Sequence, residues 1–230
     1  TMNIKSTPCE LCIRKMSGAF EAIIQFRSLK GKISEEERQK INDIIERTFS
    51  LERYKDAYIS DIKEKKQGFD VYVSSVGLAK SIAASAKEIM GANIYETFKL
   101  SGMKDGKKLG KFSLSVRLPS FNVGDIVQTQ NKTIIFEKIE KGNLIGKDLE
   151  TGERSVIQYK ELWESEIQSW KPEIKEYQII SITENFLQLM DLETYEIIEI
   201  KRDTNKNLKE GETVSAIKIN EKIFLITPEN

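Results

Sequence analysis

Cys9 and Cys12 are the only cysteines in the chain, and their spacing is CxxC. Such spacing aims two thiolates at one metal ion, as in a zinc knuckle. Tetrahedral zinc takes four ligands, and the sequence supplies two thiols and no histidine. The pair reads as half of a zinc site whose other half belongs to a longer protein trimmed just after a zinc-binding module. The opening Thr1-Met2-Asn3 agrees with such trimming. Zinc is therefore expected in the intact protein and no cofactor in this fragment. A lone redox dithiol and a pair of solvent thiols remain open. A dithiol oxidoreductase would place its CxxC at the start of a helix in a βαβ unit, whereas here an alternating stretch over 19–27 predicts a strand directly afterwards.

A second chemistry is phosphate binding. Lys104, Lys107, Lys108 and Lys111 crowd a glycine-rich stretch, 102–110, and Arg117 follows; Asp105 is the one acid among them. Glycines let a backbone approach phosphates closely, and lysines neutralise them. Arg14, Lys15, Arg27, Lys30 and Lys32 form another basic cluster beside the cysteines. Ordinary solvated lysines are the alternative for each. Neither cluster interleaves aromatic residues in sequence, so contacts to the phosphates and shape of folded RNA are favoured over stacking on bases.

Catalytic chemistry finds little support. Histidine, the commonest general base, is absent. There is no G-x-S-x-G elbow, no P-loop and no G-x-G-x-x-G. Glycines 102, 106 and 110 join two expected strands rather than a strand to a helix, so no helix N-terminus stands behind them. No enzyme activity is expected.

The elements that must position these residues are legible in order. Ser34 with Glu37 three residues on predicts a capped helix ending near Thr48, with Ile41, Ile44 and Ile45 on its apolar face. Strands follow near 57–63 and 69–73, turned by Gln67-Gly68. Ser74 or Ser75 caps a second helix with Leu78, Ile82, Ala86 and Ile89 on its stripe, closed by Gly91. Strands near 93–101 and 111–117 complete a β-α-β-β-α-β-β order with both helices on one face of the sheet. Beyond Pro119 the pattern changes to short strands at 123–127, 133–139, 144–149 and 154–159, which suggest an SH3-like barrel with Trp163 over one end. After Trp170-Lys171-Pro172, five strands at 177–183, 186–191, 197–202, 213–219 and 222–227 suit an OB-like barrel. No internal repeat is evident.

The fold class is thus α+β. The expected division is a zinc-knuckle remnant (1–18), an α/β domain (19–118), an SH3-like barrel (119–169) and an OB-like barrel (170–230). Formal charge sums to zero, yet residues 1–117 hold 22 Lys/Arg against 15 Asp/Glu, and the remainder 14 against 21. A basic half facing a polyanion fits this split. No apolar run approaches the roughly 20 residues that span a bilayer, and no secretory signal is seen. Two cysteines outside any disulfide framework fit a reducing, cytoplasmic setting.

Three ordered stretches carry a family resemblance: Cys9-Glu10-Leu11-Cys12 running into Phe20–Arg27, Gly68–Ser75 entering a helix with Ala79 and Lys80, and Lys111–Arg117 running into the first barrel. Together they resemble the nonsense-mediated decay protein 3 family, the export adaptor of the large ribosomal subunit, in its shorter archaeal form. The resemblance implies zinc knuckles followed by a ribosomal-protein-like α/β domain and a pair of barrels similar to the hypusine-bearing elongation factor. It also implies binding to ribosomal RNA and protein near the tRNA exit site and the L1 stalk during late subunit maturation or quality control. Contact with the anti-association factor would run through the zinc region, whose upstream knuckles this fragment lacks. The long tail with nuclear transport signals is also lacking, as is the lysine loop where hypusine forms, so neither property is carried over. The expected protein is a monomer off the membrane. The runner-up is a translation factor whose paired barrels mimic part of a tRNA, and an RNA-acting enzyme stands third.

Overall fold

The structure is a computed structural model. It describes residues 8–104, 107–164, 167–202, 207–219 and 222–226, with the side chains of 100–104 and 107–109 outside the description. The architecture is mixed α+β and mostly strand, in three five-stranded sheets.

The first sheet is built from β1 (Ala22–Ser28), β2 (Ile59–Lys65), β3 (Gly68–Val73), β4 (Asn93–Lys104) and β5 (Lys107–Leu118), in the order β2-β3-β1-β5-β4. β1 runs parallel to β5, and the other neighbours are antiparallel. α1 (Glu10–Met16) precedes the sheet, while α2 (Glu35–Phe49) and α3 (Val76–Met90) are inserted in it. The expected β-α-β-β-α-β-β order is therefore present from β1 onward. Period-two alternation explains its layering. Ala22, Ile24 and Phe26 of β1 and Leu114, Val116 and Leu118 of β5 are buried under α2 and α3, and the residues between them face the other way.

Local signals set the helices. Ser34 and Glu37 make both bonds of a capping box, worth about 1 kcal/mol. Ser75 caps α3, and Gly91 ends it in the left-handed conformation at φ 65°. One stripe residue is misplaced by the sequence reading. Ile89 is 45% exposed, and Met90 takes the buried position in line with Leu78, Ile82 and Ala86.

Two further expectations are corrected. Cys9 caps α1, a seven-residue helix that contains Cys12, before any strand begins. None of its residues is buried, so no apolar periodicity announced it. And 102–104 and 107–110 are strand rather than loop. β4 and β5 extend as paired strands to Lys104↔Lys107, and Asp105 and Gly106 of that stretch lie outside the described residues. Since β1 pairs with β5 only from Phe112 onward, the outer five residues of β5 project with β4 as a two-stranded ribbon about 17 Å long.

The second sheet has the order β10-β6-β7-β8-β9, from β6 (Ile126–Gln128), β7 (Thr133–Glu140), β8 (Asn143–Asp148), β9 (Arg154–Ile157) and β10 (Gln168–Trp170), with α4 (Tyr159–Glu164) before its last strand. Trp170, read as opening a linker, instead ends β10. The third sheet runs β13-β12-β11-β14-β15, from β11 (Ile174–Ile182), β12 (Phe186–Asp191), β13 (Ile197–Lys201), β14 (Thr213–Ile219) and β15 (Lys222–Ile226). Ile126 of one sheet packs with Ile217 and Ile219 of the other in a shared core.

These two sheets contain a repeat that the sequence reading overlooked. Asp148-Leu-Glu-Thr-Gly-Glu153 and Asp191-Leu-Glu-Thr-Tyr-Glu196 make the same turn. Asp148 Oδ1 accepts from the amides of Glu150 and Thr151 at 2.8 and 3.0 Å. Asp191 Oδ1 accepts from Glu193 and Thr194 at the same two distances. The bulges match as well, between Phe136 and Lys138 and between Ile179 and Ser181. Only the fourth strand differs in origin: β6 comes before its three-stranded meander, β14 after.

Candidate nucleic-acid interface

The face of the first sheet opposite α2 and α3 carries the cations. Alternation places Arg27 on β1, Lys63 and Lys65 on β2, Lys99 on β4, and Lys111 and Arg117 on β5 on this side. The helix side begins instead with Glu35, Glu36 and Glu37 in the first turn of α2. The strand cations thus gather on the side away from the helices, which composition alone could not reveal.

Register along the ribbon adds a second signal. Lys99 lies directly opposite Lys111, and Lys104 directly opposite Lys107. Like charges in cross-strand pairs are destabilising. A polyanion laid along the ribbon relieves that repulsion. The backbones of Lys104, Lys107 and Lys108 sit in this register, and their side chains lie outside the described residues.

The other sequence-predicted cations fare differently. Arg27 is committed within the fold. Its Nη2 meets Asp70 Oδ1 at 2.6 Å, and its Nη1 donates to the carbonyls of Phe26 at 2.8 Å and Phe69 at 3.2 Å. The Asp70 side chain is only 5% exposed, so Arg27 serves a buried carboxylate. Lys30 donates to Asn122 Oδ1 and lies 4.0 Å from Glu37 Oε1. Burial lowers its pKa, and Glu37 and Asp125 oppose that shift. Lys32 is exposed, with no partner among the described residues. Arg14 is held by Glu21 at 2.9 Å, the hydrogen bond raising its pKa.

Aromatic rings do interleave with these cations, against the sequence expectation. Lys63 lies over Tyr72 at 5.0 Å, Lys111 over Phe20 at 4.8 Å and Arg117 over Tyr95 at 4.9 Å, while Phe20 and Tyr72 meet edge to face. Tyr72 and Tyr95 come from different strands and Phe20 from the segment before β1, so linear sequence spacing could not show their proximity. Gln25, Ser113 and Ser115 lie between them in register.

The second sheet braces this face. Tyr159 donates to Asn93 Oδ1 at 3.0 Å, and Asn93 Nδ2 donates to the Tyr95 hydroxyl at 3.0 Å. Burial raises the Tyr159 pKa, with a further push from Tyr95, and Lys87 stacks over its ring at 3.9 Å.

Cys9 and Cys12 are both exposed. Cys9 caps α1 by accepting from the Cys12 amide, and the two sulfurs are 3.3 Å apart. Those bonds lower the Cys9 pKa, and the same thiol pair raises that of Cys12. Two sulfurs on tetrahedral zinc would lie about 3.8 Å apart, a small rotation away. No group of three His, Cys, Asp or Glu side chains able to hold a metal occurs among the described residues. The pair supplies two of the four ligands that tetrahedral zinc takes. Among the described residues, no helix is long and apolar enough to cross a membrane.

Comparison with known proteins gives one family. Residues 19–118 match the family described as NMD3, second domain. Among solved structures the chain is similar to eukaryotic translation initiation factor 5A from Methanococcus jannaschii, at 19% identity over 46% of this chain and 88% of that one, with a TM-score of 0.32. It is similar in the same way to a translation initiation factor eif-5a family protein from Naegleria fowleri, at 16% identity over 46% and 90%, also with a TM-score of 0.32. No curated protein matches it.

Proposed function

We propose, from the match of residues 19–118 to the NMD3 second domain, that the chain is a non-enzymatic factor that binds the large ribosomal subunit through its RNA. One observation carries the proposal. The helix-free face of this domain is cationic and continues into a ribbon where lysine stands opposite lysine. Four ribbon lysines, Lys104, Lys107, Lys108 and Lys111, are the main phosphate contacts, with Arg117 beside them. Lys32 is a peripheral contact. Arg27 and Lys30 act indirectly, by holding the domain together.

The finer role is late subunit maturation or quality control near the exit site and the L1 stalk. The second and third sheets act there as an SH3-like and an OB-like barrel, joined into one body by the Ile126–Ile217–Ile219 core. Cys9 and Cys12 are half of a zinc site in a longer protein. The absence of histidine from the sequence supports a binding role over catalysis.

Co-sedimentation tests the proposal. The chain should pellet with purified large subunits, not small ones, at low ionic strength. Replacing the four ribbon lysines with alanine should flatten the dependence of log K on log salt by up to about 3. Equal pelleting with both subunits, or an unchanged slope, would overturn it. Binding confined to actively translating ribosomes would instead favour a tRNA-mimicking translation factor.

A further inference from the structure

The helix-free face holds more than phosphate contacts. Tyr95 on β4 is 48% exposed, although it sits in a strand of a packed domain. Its ring is stacked by the Arg117 guanidinium and its hydroxyl is fixed by Asn93. Three strand spacings away, roughly 14 Å across the sheet, Tyr72 and Phe20 form a second aromatic group under Lys63 and Lys111. Between the two in register lie Ile23, beside Tyr72, and the polar side chains Gln25, Ser113 and Ser115.

From this arrangement we infer that the face is a shelf for single-stranded RNA. Deepening the ribosomal reading on which it rests, it assigns to this surface an unpaired segment rather than a duplex. The physical case is one of fit. Bases stack on aromatic rings and on arginine planes, and every base has such a face, so the contact tolerates sequence. Cations beside each ring meet the phosphates on either side of the stacked base. Gln25, Ser113 and Ser115 between the rings give splayed bases hydrogen-bond partners. A duplex has its bases stacked internally and presents only backbone and grooves, so it leaves Tyr95 unused. The acids on this face are already paired, Asp70 with Arg27 and Asp61 with Lys63, and do not repel the strand.

Fluorescence anisotropy with the full 230-residue chain tests this. The probes are a short labelled oligouridylate RNA and an oligo(A)·oligo(U) duplex of the same length. The single strand should bind more tightly than the duplex. Tyr95→Ala should lose at least about fivefold for the single strand, with the salt slope and the duplex affinity unchanged. Tyr95→Phe, which keeps the ring, should bind as the wild type does. Tighter binding of the duplex, or full binding by Tyr95→Ala, would overturn the shelf. The two proposals separate cleanly. A chain that shows the tyrosine dependence but does not pellet with large subunits keeps the shelf and loses the ribosomal assignment. A chain that pellets while Tyr95→Ala binds the oligonucleotide normally does the reverse.

Discussion

Trp163 in α4 donates its indole N–H to the carbonyl of Gly91, 2.9 Å away, where α3 turns into β4. That carbonyl lies at a helix end, where backbone acceptors lack intrahelical partners. The tip of the β7–β8 hairpin reinforces the joint, with the Gly142 amide donating to Glu88 at 2.9 Å. Trp163, expected to cover one end of a barrel, packs against its sheet's core and also pins that sheet to the first domain. Trp163→Phe should remove the hydrogen bond at a cost of about 1 kcal/mol, and Trp163→Ala about 3 kcal/mol. Calorimetry should show the alanine variant melting in two resolved transitions, as the domains uncouple. A single transition at the wild-type temperature would contradict the joint.

Arg27 has a different consequence. Removing it leaves Asp70 buried and unpaired, an arrangement that costs about 3 kcal/mol. Arg27→Ala should therefore lower urea stability strongly, while Arg27→Ala with Asp70→Asn recovers part of the loss. If the single variant is as stable as wild type, Arg27 is not the structural clamp its geometry indicates.

Asp191 gives the pH dependence. The amides of Thr194 and Glu193 hold its carboxylate below the ordinary range, against an opposing desolvation. A carboxylate with a depressed folded pKa stabilises the fold above its unfolded value near 3.9, and that stabilisation is lost as pH falls through the folded pKa. Asp191→Asn keeps an acceptor without the charge. Wild type should melt higher than this variant at neutral pH, and the gap should close in acid. A gap that is constant with pH would contradict the assignment.

Tyr195 occupies the turn position that Gly152 fills in the first copy, at φ 60° against 73°. The left-handed conformation costs a residue with a side chain about 1–2 kcal/mol, and glycine returns some 0.5–1 kcal/mol of that as chain entropy. Tyr195 is 71% exposed and gives up little packing. Tyr195→Gly should raise stability by about 0.5–1 kcal/mol in urea melts, and a loss of stability would show that the exposed ring has a hidden role.

Local structure was legible where one residue and its near neighbours decide it. Ser34 with Glu37, Ser75 and Gly91 set the helix ends from sequence alone. Reading failed where the deciding contact crosses strands. The glycines at 102 and 110 suggested a loop, yet the ribbon takes them in at a bulge between Leu100 and Gly102 and against the ring of Phe98. The Tyr95–Arg117 stack and the Lys99–Lys111 pair depend on register, which periodicity within one strand does not carry. Arg27 looked like a free cation because Asp70 is 43 residues away in the chain. The Asp148 and Asp191 turns were missed for another reason: their identity is confined to one short motif within otherwise divergent strands.

The most direct test is site-directed photocrosslinking on purified large subunits. A benzophenone amino acid at Lys99, on the helix-free face, should crosslink to ribosomal RNA. The same group at Glu46, exposed on α2 on the opposite side, should give none. RNA crosslinks from position 46 and none from position 99 would mean that the cationic face is not the side that meets the ribosome.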